Sequence, residues 1–223
     1  AGLRRAVAWS NGIPSDLGTL GGDRGEARGV NHAGQIVGQA RNAAGEARAF
    51  LWKESSGMSE LPMTLGGNRS AASAINANGV VAGSGRLPDG RTHAVRHDPG
   101  TGTTLDLGTL GGDDSFANGI NDAGQVAGLS DDSEGGFRPF FWSPETGMVD
   151  LFADGHLGSP SGAAYDINNS GQVVGYGEIN DDYDSHAFVW TRSEGLKNLN
   201  DWVVRMPGLE LYGASGINNA GQI

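Results

Sequence analysis

Apolar and polar positions in this chain alternate in short bursts rather than in long stripes. From Ser115, SFANGIN alternates and runs into the turn sequence NDAG, and QVAGLS alternates again before the polar loop DDSEGG. FRPFFW is then a compact apolar run, SPETG a turn, and MVDLFA a second apolar run. Period-two patterning over such short segments, punctuated by Gly, Pro, Asn and Asp, predicts β-strands. One stretch therefore supplies four strands, A to D, joined by tight turns.

The same unit recurs. Its turn asparagines are Asn31, Asn76, Asn121, Asn168 and Asn218, spaced by 45, 45, 47 and 50 residues. Glycine follows three positions later each time, at Gly34, Gly79, Gly124, Gly171 and Gly221. Asparagine can hydrogen-bond its own backbone two residues on, and the glycine can take the left-handed conformation that closes a hairpin. Turn chemistry thus accounts for Asn-x-x-Gly without a metal; the loop is short and amide-rich, where calcium prefers several carboxylates. A second marker is a base four residues before an aromatic: Arg5/Trp9, Arg48/Trp52, Arg138/Trp142 and His186/Trp190, with His93/His97 as the variant copy. A third is DLGTLGG at residues 16–22 and 106–112, with LPMTLGG at 61–67 between them.

Five copies of a four-stranded meander predict an all-β chain, a single domain over residues 1–223 built as a five-bladed β-propeller. A β-solenoid is the rival, with shorter rungs and end caps that this pattern lacks. Glycine, 39 of 223 residues, suits many tight turns and disfavours long helices. DLGTLGG, GINDAGQVAG and the literal His-Ala-Phe of SHAFVW (residues 185–190) resemble the HAF repeat family, described as extracellular repeats of bacteria. The resemblance spans essentially the whole chain, although His-Ala-Phe is intact only at 186–188 and the last two copies lose DLGTLGG. It implies an extracellular or cell-envelope location and no established activity. The strand order also resembles tryptophan–aspartate repeat propellers, which would make A the innermost strand. The recurrent small residues Ala27, Ala72, Ala117, Ala164 and Ala214 fit that place. The chain opens on strands C and D and finishes on A and the start of B. Those halves would together close the ring; alternatively, a longer array has been cut in register.

The net charge of −11 argues against nucleic acid and anionic membrane surfaces as partners. No apolar run reaches the roughly 18 residues of a membrane span, and with no cysteine there is neither disulfide nor thiolate chemistry. No cofactor or metal is expected, and a monomer is.

In an array, a residue present in every copy is architectural, and one that breaks the pattern is the better functional candidate. The ring Arg5, Arg48, His93, Arg138 and His186 reads as structural, a base held against an aromatic or a loop. Its sharper reading is a five-fold set of anion or sugar contacts on one rim. The tryptophans read as inter-blade core. Insertions fall at residues 153–162 (ADGHLGSPSG) and 205–212 (RMPGLELY), both D–A connections, and at 178–185 (EINDDYDS), a B–C connection. All three belong to one face of the meander, where functional insertions tend to cluster. Candidate ligand-binding residues are therefore His156, Tyr165, Asp166, Glu178, Asp182, Tyr183, Trp202 and Arg205. Asp166 stands where other copies carry Gly29, Ala74, Gly119 and Gly216, which would put a carboxylate at the channel mouth.

Catalysis is the weaker expectation. Strand A and its approach offer two carboxylates, Glu26 and Asp166, from non-adjacent copies, and nucleophile elbows and phosphate loops are missing. The sequence reads as a non-catalytic binding module, lectin-like and taking a glycan through aromatic stacking and hydrogen bonds. A protein-binding scaffold is the second reading and a polysaccharide hydrolase or lyase the third.

Overall fold

A computed structural model describes residues 3–153, 161–179, 184–203 and 208–223. They fall into two compact units, Ala1–Asp106 and Leu107–Ile223.

The first unit opens with a two-stranded hairpin, β1 (Val7–Ser10) and β2 (Ile13–Asp16). Two four-stranded antiparallel meanders follow. One is β3 (Gly21–Val30), β4 (Ile36–Asn42), β5 (Ala47–Lys53) and β6 (Gly57–Glu60). The next is β7 (Ser70–Ile75), β8 (Val81–Arg86), β9 (Thr92–Asp98) and β10 (Thr103–Asp106). The second unit holds two more. They are β11 (Gly111–Ile120), β12 (Val126–Asp132), β13 (Phe137–Ser143) and β14 (Gly147–Asp150), then β15 (Gly162–Ile167), β16 (Val173–Gly177), β17 (His186–Thr191) and β18 (Gly195–Asn198). A 3-10 turn, Leu199–Trp202, follows β18, with the Asn198 side chain accepting from the Asn200 amide at its start. Each meander runs A, B, C, D in chain order, the arrangement of a propeller blade.

The turn asparagine works as its chemistry requires. Asn31 Oδ1 accepts from the amides of Ala33 and Gln35, both at 3.1 Å, and Gly34 takes φ +70°. The same side chain reaches the next copy, since Asn31 Nδ2 donates to the Asn76 carbonyl at 3.0 Å. Asn121 does this to Asn168 at 3.0 Å and Asn168 to Asn218 at 3.1 Å. The four asparagines from Asn31 to Asn168 are buried, whereas Asn218 is exposed.

Within each unit, neighbouring sheets bury their faces against each other. Val37, Leu51, Leu61, Met63, Ile75, Val81 and Val95 make one such layer in the first unit. In the second, Phe141, Phe152, Ile167, Phe188 and Trp190 make another, with the Phe141 and Trp190 rings 5.2 Å apart. Strand B crosses strand A so closely that a side chain is excluded at one position. A Cβ on Gly128 would collide with the Phe116 carbonyl and the Phe140 ring. Gly38, Gly83 and Gly175 hold the same place in their copies.

Three elements differ from the sequence expectation. Residues 213–223, expected as strand A and the start of B, carry no strand, and β1–β2 is a two-stranded sheet. Strand D is shorter than MVDLFA suggests: β14 ends at Asp150, whose carboxylate accepts from the Phe152 amide at 2.8 Å and turns the chain. Leu151 and Phe152 are nonetheless buried, so their apolar character reports burial rather than strand. Strand A carries a bulge in all four meanders, between Ala27 and Gly29, Ala72 and Ala74, Ala117 and Gly119, and Ala164 and Asp166. A bulge breaks the period of two, so alternation alone cannot assign faces along that strand.

Candidate functional site

The ring of bases finds carboxylates. Arg5 lies 3.9 Å from Asp16, Arg48 3.3 Å from Glu60, and His93 Nδ1 2.9 Å from Asp106. In these three copies the base leads into strand C and the acid ends strand D. Arg48 also meets Glu46 at 2.6 Å. In the copy of Asn121, Asp150 accepts from the Phe152 amide and Arg138 meets Asp132 at 2.6 Å. His186 is buried in β17. These contacts join strand C to strand D, to the loop before strand C or to the end of strand B. The tryptophans divide: Trp142 and Trp190 are buried, Trp52 is half-buried, and Trp9 on the two-stranded hairpin is 71% exposed.

Of the loop-face candidates, His156, Asp182, Tyr183 and Arg205 lie outside the described residues. Tyr165 and Asp166 sit together on β15, at its bulge. The Tyr165 ring is 42% exposed and packs against Tyr176 of β16, centroids 5.4 Å apart. Burial, and after it the Tyr176 hydroxyl, pushes the Tyr165 phenol above its ordinary range. Asp166 is engaged by backbone, Oδ1 accepting from Ile167 at 2.8 Å and Oδ2 from Ile217 at 2.9 Å. The carboxylate that breaks the small-residue rule thus fastens the backbone of the next copy at Ile217. Glu178 Oε2 accepts from the Ser161 amide at 3.3 Å, which joins the end of a D–A connection to the start of a B–C one. Trp202 stands on the 3-10 turn, 57% exposed. Among these candidates the structure brings together Tyr165 and Asp166.

A concavity that the sequence reading missed lies in the first unit, about 800 Å³ in volume. Six arginines line it: Arg4, Arg5, Arg24, Arg41, Arg69 and Arg86, against the acids Glu26 and Glu46. It opens among the D–A and B–C connections, beside the start of β3 and the β4–β5 loop. A signal was present in the charge distribution. The first unit holds eleven bases against nine acids, and the second four against seventeen. The whole-chain charge of −11 averages these and hides both. Among the described residues no cluster of three or more His, Asp or Glu is arranged to hold a metal, and no helix is long and apolar enough to cross a membrane.

No family model matches the chain, and no curated protein matches it in sequence. Solved structures do. The chain is similar to TolB from Acinetobacter baumannii, 15% identical with a TM-score of 0.59, over 84% of this chain and 46% of that one. It is also similar to a protein assigned as TolB from Agrobacterium tumefaciens, 14% identical with a TM-score of 0.57, over 96% of this chain and 83% of that one. This chain thus spans about half the length of the Acinetobacter protein. At such identities the likeness is one of fold, an all-β arrangement of propeller type.

Proposed function

We propose that this chain is a non-catalytic binding module of the cell envelope or the extracellular space, and that it takes a carbohydrate at the D–A/B–C loop face. Its finer architecture under this reading is one five-bladed propeller of HAF repeats. The strand A and B sequence at residues 213–223 would complete the β1–β2 hairpin. The observation that carries the binding reading is the half-exposed Tyr165 ring, held against Tyr176 at 5.4 Å. A rigid aromatic with one open face is what sugar rings stack on, and under this reading Glu178 and Trp202 of the same loop face would add a hydrogen-bond acceptor and a second exposed ring. The engagement of Asp166 by two backbone amides favours binding over acid–base chemistry, because a general acid or base needs a carboxyl free to exchange protons with a substrate.

The test is a glycan array followed by titration of any hit against Tyr165→Ala. Loss of binding with an unchanged melting temperature supports the reading. A hit that Tyr165→Ala leaves intact, or an array without hits, counts against it. A second reading, a protein-binding scaffold, draws on exposed Trp202, Leu209 and Tyr212 near the end of the chain. Aromatic and aliphatic side chains of that kind anchor protein interfaces.

A further inference from the structure

The repeat fails in charge at two slots where its backbone does not fail at all. Count seven residues back and ten forward from each turn asparagine. In the first unit the pairs are Arg24 with Arg41 and Arg69 with Arg86; in the second they are Asp114 with Asp131 and Ser161 with Glu178. The two slots adjoin in every copy. A Cβ on Gly22, Gly67 or Gly112 would press on Arg41, Arg86 or Asp131 respectively. The Asp114 amide donates to Asp131 Oδ2 at 3.2 Å, just as Ser161 donates to Glu178. One backbone frame therefore presents paired cations in two copies, paired acids in the next and a single acid in the one after.

The electrostatic consequences are opposite. At Asp131, burial first, and then the charges of Asp114, Asp113 and Asp132, push the carboxyl above its usual range. In the first unit the slot arginines line the concavity together with Arg4 and Arg5. Among the described residues no carboxylate lies within ion-pair range of Arg4, Arg24, Arg69 or Arg86. Arg41 and Arg5 have exposed partners at 3.4 and 3.9 Å, contacts worth little in water. A surplus of guanidinium groups around a cavity is electrostatically unfavourable unless an anion shares it.

We propose that this cavity binds an acidic oligosaccharide of the uronic-acid type. Guanidinium forks match carboxylates two bonds at a time, which lysines cannot do. The amide of Asn68 and the carboxylates of Glu26 and Glu46, on the same wall, suit sugar hydroxyls. The apolar lining is alanine and Val7, which gives a peptide no pocket for an apolar anchor. A volume of about 800 Å³ lies in the range of sites for ligands of a few rings. The inference concerns a different site from Tyr165 and stands without it.

Isothermal titration of the full chain with a trimer of galacturonic acid is the test, with neutral galactotriose, a hexaglutamate peptide and inorganic phosphate as comparison ligands. The uronate should bind, the neutral trimer should not, and affinity should fall as salt rises. Arg69→Asp with Arg86→Asp places in the second copy the residues that the third carries in the same slots, so the frame tolerates them. That variant should lose about tenfold or more, as expected for charge-assisted hydrogen bonds. Arg69→Lys with Arg86→Lys keeps the charge and should still lose several-fold. Tyr165→Ala should leave uronate binding unchanged, which separates this site from the loop-face one. Absence of uronate binding, equal binding of galactotriose, or equal or tighter binding of the peptide or phosphate would each overturn the proposal. So would an unaltered isotherm in both arginine variants.

Discussion

The side chain of Asn121 donates to the backbone carbonyl of Asn168, 47 residues further along the chain, at 3.0 Å. The residue that sets a hairpin turn in one repeat therefore also fastens that turn to the next repeat. In its amide group Oδ1 accepts from the Gln125 amide, and Nδ2 donates to the Asn168 carbonyl and to Gln125 Oε1. Asn121→Ala strands a buried carbonyl and a buried amide. It should lower the stability of the second unit by about 2 kcal/mol, measured by urea denaturation. Asn218→Ala, at the exposed end of the series, should cost under about 1 kcal/mol. Equal costs at the two positions would mean that the bond between repeats contributes nothing.

His97 stands where four other copies carry tryptophan, and it is buried at 1% exposure. Thr104 donates its hydroxyl to the Pro62 carbonyl at 2.8 Å, so it accepts from His97 Nδ1–H, also at 2.8 Å. Burial lowers the imidazole pKa, with the charge of Asp98 opposing the shift in part. The unfolded chain, with an ordinary value near 6.5, then binds the proton more readily than the fold. The stability held by neutral His97 is complete above about pH 6.5 and is lost as pH falls below it. His97→Phe should flatten stability against pH below about 6.5, by at most about 1.4 kcal/mol per pH unit. Urea midpoints at three pH values would show this, and an unchanged slope would refute it.

Gly128→Ala should be among the costliest single-methyl additions in the chain. The new Cβ would meet the Phe116 carbonyl and the Phe140 ring, neither of which can retreat from the strand A–B crossing. A loss of about 3 kcal/mol or more is expected in thermal or chemical melts. Gly135→Ala should cost through its φ of +85° alone, because a Cβ there meets open space. That strain is about 1 kcal/mol. A mild Gly128 variant would show that the crossing can relax.

Asp166→Ala removes the acceptor of the Ile217 amide and should loosen the segment of residues 213–218. Hydrogen exchange at Ile217 should quicken about tenfold for a lost bond of about 1.4 kcal/mol. Protection that stays at the wild-type level would return Asp166 to the set of residues free to meet a ligand.

The four-strand unit and the turn at Asn-x-x-Gly were legible in the sequence. Each rests on local chemistry repeated in register. The tie from Asn31 to Asn76 was not, because a side chain that satisfies its own turn gives no sign of a second bond across 45 residues. The role of Asp166 escaped for a related reason. A carboxylate among glycines reads as exposed until the Ile217 amide is placed against it. The arginine cavity was missed because insertions in length drew the eye to residues 153–162, 178–185 and 205–212. The change from Arg24 and Arg41 to Asp114 and Asp131 alters charge without altering length. Only register across copies exposes it.

The account holds that residues repeated in every copy build the frame, and that binding lies where the repeat changes its chemistry. Thermal melts with and without the galacturonate trimer, run side by side on wild type, Asn121→Ala and Arg69→Asp with Arg86→Asp, measure both halves at once. The predicted result is a lowered melting temperature in the asparagine variant with its ligand-induced rise intact. The arginine variant should melt like wild type and lose that rise. An arginine variant still stabilised by the trimer, or an asparagine variant that melts like wild type, would contradict the account.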